Sequence, residues 1–289
     1  MNKKSTTNSA EERKAHAEAL HAAIIEQVQQ LTESGQWQRF LDFARSFHQY
    51  SLNNVLLILA QRPDATMVAG YRQWQNKGRQ VRKGETGIRI FGHSTKNLPN
   101  AEDDPSEDQR AVHYFPVLTV FDIAQTEAID GAPAIPTDPV QKLTGDNDRG
   151  ILTPLAEHLR RAGWMIAREH LWQANGYTDP ARHLIVIDHN LSPAQTAKTL
   201  LHEAAHIQLD HTADLKEYRT HRGRMEVEAE SVAYILAGLA GLDTSTYSIG
   251  YITGWSAADP DLVRETANHV LEAVHAIHPA LASDESLEK

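Results

Sequence analysis

Apolar positions recur at intervals of three and four through residues 11–31, where Ala19, Leu20, Ala23, Ile24, Val28 and Leu31 fall on one side of a helix with a polar opposite face. A second helical pattern covers Trp37 to Phe47, and "NNVLLILAQ" (53–61) reads as a short buried helix stopped by Pro63. "VAGYRQWQNKGRQ" (68–80) predicts a helix that stops at Gly78. "TGIRIFGH" (86–93) and "HYFPVLTVFDI" (113–123) are rich in β-branched and aromatic residues and predict strands. The acidic, polar segment 94–110 between them predicts a mobile loop. Further on, the pattern predicts a helix over 151–162, a strand ending in a turn in "HLIVIDHNLS" (183–192), and helices from 192, over 225–240 and over 260–278. The last residues, "ASDESLEK", predict a frayed tail, and no internal repeat of 20 to 50 residues is present.

Helices and strands thus mix in an α+β chain, and 289 residues suit two domains. Pro, Gly and Asp concentrate in 129–150, so the expected division is a first domain over 10–128, a linker over 129–149 and a second domain over 150–280. No apolar run is long enough to span a membrane. The first twenty residues have no apolar core of the kind a signal peptide needs, which points to the cytoplasm. The absence of cysteine excludes disulfides and thiolate metal sites, leaving His, carboxylate and water as metal ligands.

Charge is uneven. The chain carries −10 overall, yet residues 62–96 hold eight basic side chains (Arg62, Arg72, Lys77, Arg79, Arg82, Lys83, Arg89, Lys96) against Asp64 and Glu85. That local +6 leaves −16 for the rest, so the two parts face different partners. Tyr71 and Trp74 interleave with Arg72, Lys77, Arg79, Arg82 and Lys83, which is the composition of a groove that holds single-stranded nucleic acid by stacking and backbone charge. Trp74 read by itself fits equally the buried face of an amphipathic helix, and Asn53 or Asn54 the cap of the helix that follows.

The chemistry concentrates in "LLHEAAHIQLDH" (200–211). Ser192, Pro193 and Gln195 form a capping-box signature, so the helix starts at 192 and carries His202 and His206 on its third and fourth turns. Four residues apart, the two imidazoles share a face and can reach one ion. Glu203 is turned about 100° from His202, so it can hold a water beside that ion without ligating it, as metal-assisted peptide hydrolysis requires. A third protein ligand is needed, and "RMEVEAESVAYILAGLAG" offers Glu226, Glu228 and Glu230. Glu226 lines up with Glu230, Ala233 and Ala237 on a narrow stripe that lets another helix come close, whereas Glu228 heads the bulky stripe of Val232, Ile235 and Leu239. Periodicity leaves the choice open.

"TLLHEAAHIQLDH" followed by "EVEAESVAYILAGLAGLDTSTYSIGYITGW" resembles the zincin domain of ArdC-type antirestriction proteins and is similar to the ImmA/IrrE metallopeptidases. The resemblance implies that Glu226 is the third ligand, with Glu228 as runner-up, and that Glu230 orients a ligand histidine. Residues 50–93 resemble the single-stranded-DNA-binding domain of the same family, through Tyr50-Ser51 with Asn53-Asn54, the turn at 63–66 and the run from Trp74 to Glu85. Together the two likenesses cover most of 35–255.

The family implies a mobile-element antirestriction protein that binds single-stranded DNA and carries a gluzincin-like metallopeptidase site for a protein or peptide substrate. Zn²⁺ is the expected ion, and Mn²⁺ also suits N/O ligands. Tyr247 and Tyr251 are candidate electrophiles for the reaction intermediate. The competing readings are a DNA-binding protein whose metal is purely structural, and an ImmA/IrrE-like regulatory protease that cleaves a DNA-bound protein.

Overall fold

The chain's apolar stripes decide which elements pair and which stay wet. The computed structural model describes residues 10–33, 35–97, 111–131, 147–172, 174–211, 215–242 and 259–281. By contacts it divides into two units, Met1–Gln27 with Asn53–Ile135, and Val28–Leu52 with Pro136–Lys289. Helix α1 (Ala10–Gln30) runs from one into the other and buries the expected Leu20, Ile24 and Val28. Among the described residues no helix is long and apolar enough to cross a membrane.

The first unit is built on α3 (Leu52–Gln61), whose Val55, Leu56, Leu57 and Ile58 are fully buried. Its main sheet is antiparallel, in the order β1 (Val68–Gly70), β6 (Val117–Asp122), β3 (Ile88–Phe91). The segment expected to be one helix over 68–80 is instead β1, a short α4 (Tyr71–Asn76) and β2 (Arg79–Val81). Val68 pairs with Asp122 and Arg79 with Ala128 of β7 (Thr126–Ala128), partners some fifty residues away that local periodicity does not reveal. Gly78, at φ +71°, supplies the left-handed residue between α4 and β2. The expected strand over 113–123 breaks at Pro116, which has no N–H for the ladder: β5 (Ala111–Tyr114) ends before it and β6 begins after it. β5 pairs with β4 (Ser94–Asn97), so the first four residues of the expected loop form a strand, while 98–110 lie outside the described residues.

Trp74 is the centre of this unit. It is fully buried against Ala69, Val81, Phe121 and Ile123, and its indole N–H donates to the Phe121 carbonyl at 2.8 Å. Trp74→Ala therefore removes a large buried surface and the indole hydrogen bond, and is expected to destabilise the unit by about 3–5 kcal/mol in denaturant unfolding. A loss below about 1 kcal/mol would refute this packing.

In the second unit a three-stranded sheet lies beside helices. β10 (Leu184–Asp188) is central, parallel to β8 (Met165–Glu169) and antiparallel to β9 (Gly176–Asp179). The pattern "LIVID", buried at four of five positions, is that of a strand covered on both faces. Neither β8 nor β9 is expected from its own pattern, because "MIARE" and "GYTD" are short and half polar. The helices are α2 (Gln36–Ser46), α5 (Leu152–Arg161), α6 (Pro193–Gln208), α7 (Leu215–Leu239) and α8 (Pro260–Leu281). α7 starts ten residues earlier than its apolar stripe and is kinked at His221. α2 is pinned to α7 by Trp37 Nε1, which donates to Ser231 Oγ at 3.1 Å in the core, and by Asp42, which accepts from the Tyr234 hydroxyl.

Candidate metal centre

Helix α6 begins where its cap predicts. Ser192 is extended (φ −60°, ψ 158°) and its Oγ accepts from the Gln195 N–H, with Pro193 at the first helical position. Leu200, Leu201, Ala204 and Ala205 are buried, which fixes the rotation of the helix and turns His202 and His206 toward α7. On α7, Ala229, Ala233 and Ala237 are fully buried, a strip of small side chains that lets the helices approach.

Three ligating atoms converge there. His202 Nε2 and His206 Nε2 are 3.0 Å apart, and Glu226 Oε2 lies 3.5 Å from the first and 3.9 Å from the second. A triangle with those sides has a point about 2.0 Å from all three corners, which is the length of a zinc–imidazole or zinc–carboxylate bond. Two imidazoles and a carboxylate are also the donor set of a hydrolytic zinc site, so the residues fit a divalent ion. Glu230 Oε2 lies 3.1 Å from His202 Nδ1, where it holds the proton on that nitrogen and frees Nε2 for the ion. Glu228 is elsewhere. Its oxygens meet His211 Nε2 at 3.0 Å, Arg224 Nε at 3.0 Å and His269 Nδ1 at 3.1 Å, with only 2% of the residue exposed. Burial alone works against its charge, but the His211 and Arg224 contacts outweigh that and keep its pKa below the usual carboxylate range.

Glu203 is buried beside the two histidines, and the Thr178 hydroxyl donates to its Oε2 at 2.7 Å. Burial raises the Glu203 pKa above the ordinary carboxylate value, with the Thr178 hydrogen bond and the His202 charge pulling it back. Thr178 reaches it from β9, where residues two apart face the same way. Gly176 is the other β9 residue on that face: a Cβ there would sit 2.7 Å from Thr199 Cγ2 and 2.9 Å from the Val186 carbonyl oxygen. Only glycine lets β9 come this close to α6. A cleft of about 290 Å³ opens here, lined by Asn175, Gly176, Lys198 and Thr199 together with His202, Glu203 and Glu230.

The surroundings of His202 and His206 push their pKa values in opposite directions. Burial opposes charge on His202, but hydrogen bonds to Glu226 and Glu230 prevail and raise its pKa to about 10. His206 is lowered to about 3, by burial first and by the neighbouring His202 charge next. Between those values His202 is protonated and His206 neutral. An ion must displace the His202 proton, so its competitor strengthens as pH falls. Divalent-metal affinity is expected to rise about tenfold per pH unit between pH 6 and 8, with one proton released per ion. Chelator competition at several pH values checks this, and a flat profile would contradict a protonated His202.

The expected DNA-contact residues separate into two groups. Arg72, Lys77 and Lys83 are exposed, as is the Tyr71 ring at 44%. Tyr50 and Asn53 are half-buried, and burial raises the Tyr50 pKa. Two expectations need correction. Trp74 is sealed in the core and offers no face to a base. The Asn54 amide is bonded to both Phe91 N–H and Phe91 C=O, at 2.9 and 2.8 Å, where it completes the edge of β3. Arg79 donates to the Thr126 hydroxyl and carbonyl, and Arg82 to Glu85 and the Ala124 carbonyl, so both clamp the segment around β7. Tyr247 and Tyr251 lie outside the described residues. Sequence reasoning passes over Thr178 and His211; His211 had a signal, as a third histidine in the same short string.

Two family models match successive parts of the chain. Residues 14–121 match the family model of the N-terminal domain of anti-restriction factor ArdC, and residues 159–237 match that of the IrrE N-terminal-like domain of the M78 peptidases. An uncharacterized protein of Bacillus anthracis is 24% identical over 278 residues, covering 81% of this chain and 46% of that protein, so the chain spans about half the length of this curated relative. Among solved structures, the metal-free antirestriction protein ArdC from plasmid R388 is similar at 22% identity, covering 80% of this chain and 85% of that one, with a TM-score of 0.49. The Mn(II)-bound form of the same protein matches at 20% identity, 81% and 90% coverage and a TM-score of 0.44. Along its length the chain thus carries a region similar to the ArdC N-terminal domain and, after it, a region similar to the IrrE N-terminal-like domain.

Proposed function

We propose that the protein protects incoming mobile-element DNA from restriction in the cytoplasm, by binding single-stranded DNA through its first unit and hydrolysing a peptide bond at a zinc site in its second. The observation that carries the peptidase reading is the convergence of His202 Nε2, His206 Nε2 and Glu226 Oε2 beside the buried Glu203 in an open cleft. A divalent ion held by His202, His206 and Glu226 would polarise a peptide carbonyl and acidify water. Glu203 takes the proton from the attacking water and passes it to the departing amine nitrogen, a two-way role that suits a carboxyl with a raised pKa. Thr178 fixes the orientation of that carboxyl. A purely structural ion needs no carboxylate at the position Glu203 occupies, which favours hydrolysis over the structural alternative.

The DNA reading rests on the match to the ArdC N-terminal domain and on the local positive charge. Its contacts are Arg72, Lys77 and Lys83, with Tyr71 as the stacking surface. Changing Arg72, Lys77 and Lys83 together to Ala is expected to weaken single-strand affinity and to lower the slope of log affinity against log salt by about 2, at roughly 0.7 per phosphate contact. Fluorescence anisotropy of a labelled oligonucleotide across a salt series measures both. An unchanged slope would remove these residues from the DNA interface.

A further inference from the structure

The second-unit core contains a titratable pair that the proposed reaction does not use. His211 and Glu228 are 4% and 2% exposed, and they stand in line behind His206: His206 Nδ1 is 3.0 Å from His211 Nδ1, and His211 Nε2 is 3.0 Å from Glu228 Oε2. Glu228 Oε1 is held by Arg224 and His269, and Arg224 and His269 in turn both face Glu265 on α8. His202 is backed directly by a carboxylate, whereas His206 is backed by an imidazole with its carboxylate one step further away.

One arrangement of protons along this line leaves His206 able to ligate an ion. An ionised carboxylate paired with Arg224 only accepts, so His211 Nε2 carries a proton and donates to it. In that arrangement His211 Nδ1 is the acceptor of the contact with His206. The facing nitrogen, His206 Nδ1, then donates, and His206 Nε2 carries no proton on the side of Glu226. With the opposite arrangement, His206 Nε2 would carry the proton and could not ligate an ion.

We propose that His211 and Glu228 are positioning residues for His206, a relay that fixes its tautomer and ring orientation so that Nε2 faces the ion. The proposal rests on the reading of His202, His206 and Glu226 as ligands. It also gives Glu228 a role that accounts for its burial without making it a ligand.

The test begins with tautomers in the parent protein. Long-range ¹H–¹⁵N NMR of the histidine-labelled, zinc-loaded chain is expected to show His206 protonated at Nδ1 and His211 protonated at Nε2 alone. His211 protonated at Nδ1 overturns the relay, and this readout does not depend on any variant folding. The second arm measures zinc affinity by chelator competition, with helical content and thermal unfolding checked for each chain. His211→Leu removes the acceptor for His206 and is expected to bind zinc about 10–100-fold more weakly. His211→Gln, whose amide can accept from His206 and donate to Glu228, is expected to recover most of that loss. A folded His211→Leu that binds zinc as tightly as the parent overturns the relay and leaves the ligand reading standing. If the parent takes up no zinc, or His206→Ala takes up as much, the ligand reading itself fails and the relay with it.

Discussion

Glu203→Gln is expected to abolish protection of transferred DNA while leaving metal content and single-strand binding at parental levels. Glutamine keeps the shape of the side chain and can still accept from Thr178, but it cannot take a proton at neutral pH. Removing a positioned general base costs about 10²–10⁴-fold in rate, enough to silence the proposed hydrolysis. The buried setting of Glu203 makes the substitution mild for the fold, because a neutral amide is less costly to bury than a charged carboxylate. The measurement is a transfer assay into a restricting host, run alongside metal analysis and oligonucleotide binding. If protection survives in a variant that still holds metal and DNA, the HEAAH stretch is a scaffold and the protein works by covering DNA.

The second large effect concerns the ligands. Zinc binding to structural sites is worth about 10–16 kcal/mol over four ligands, or roughly 2.5–4 kcal/mol each. His206→Ala and Glu226→Gln are therefore each expected to lower zinc affinity on the order of 10²–10³-fold. The loss also shows in unfolding, since zinc at 100 times its Kd stabilises the parent by about 2.7 kcal/mol and should do little for either variant. Calorimetry with and without zinc reads both consequences. An unaltered zinc response in Glu226→Gln would move the third ligand away from Glu226.

The position of α6 follows from local chemistry. Ser192 and Pro193 start a helix wherever they precede a helix-forming run, and four-residue spacing puts His202 and His206 on one face of it. The short-range pattern also contains α2, α3, α5, α8 and the central strand β10, because each carries its own apolar stripe or run. It fails where a segment owes its state to distant partners. β1 and β2 become strands only by pairing with β6 and β7, and β9 exists only because the buried strand β10 has an edge to complete.

What the sequence determined by itself was the helix with its two histidines and the glutamate between them, the basic segment, and the pool of three glutamates on α7. Tertiary structure separated those glutamates. Both faces of α7 are buried, so periodicity could say which residues share a face but not what each face meets. Packing turns Glu226 and Glu230 toward α6 and Glu228 toward His211, Arg224 and His269. The same limit applies to Trp74 and Asn54: an aromatic or amide side chain has the same local pattern whether it meets a base, a core or a strand edge. Only the long-range contacts of the folded chain supply that partner.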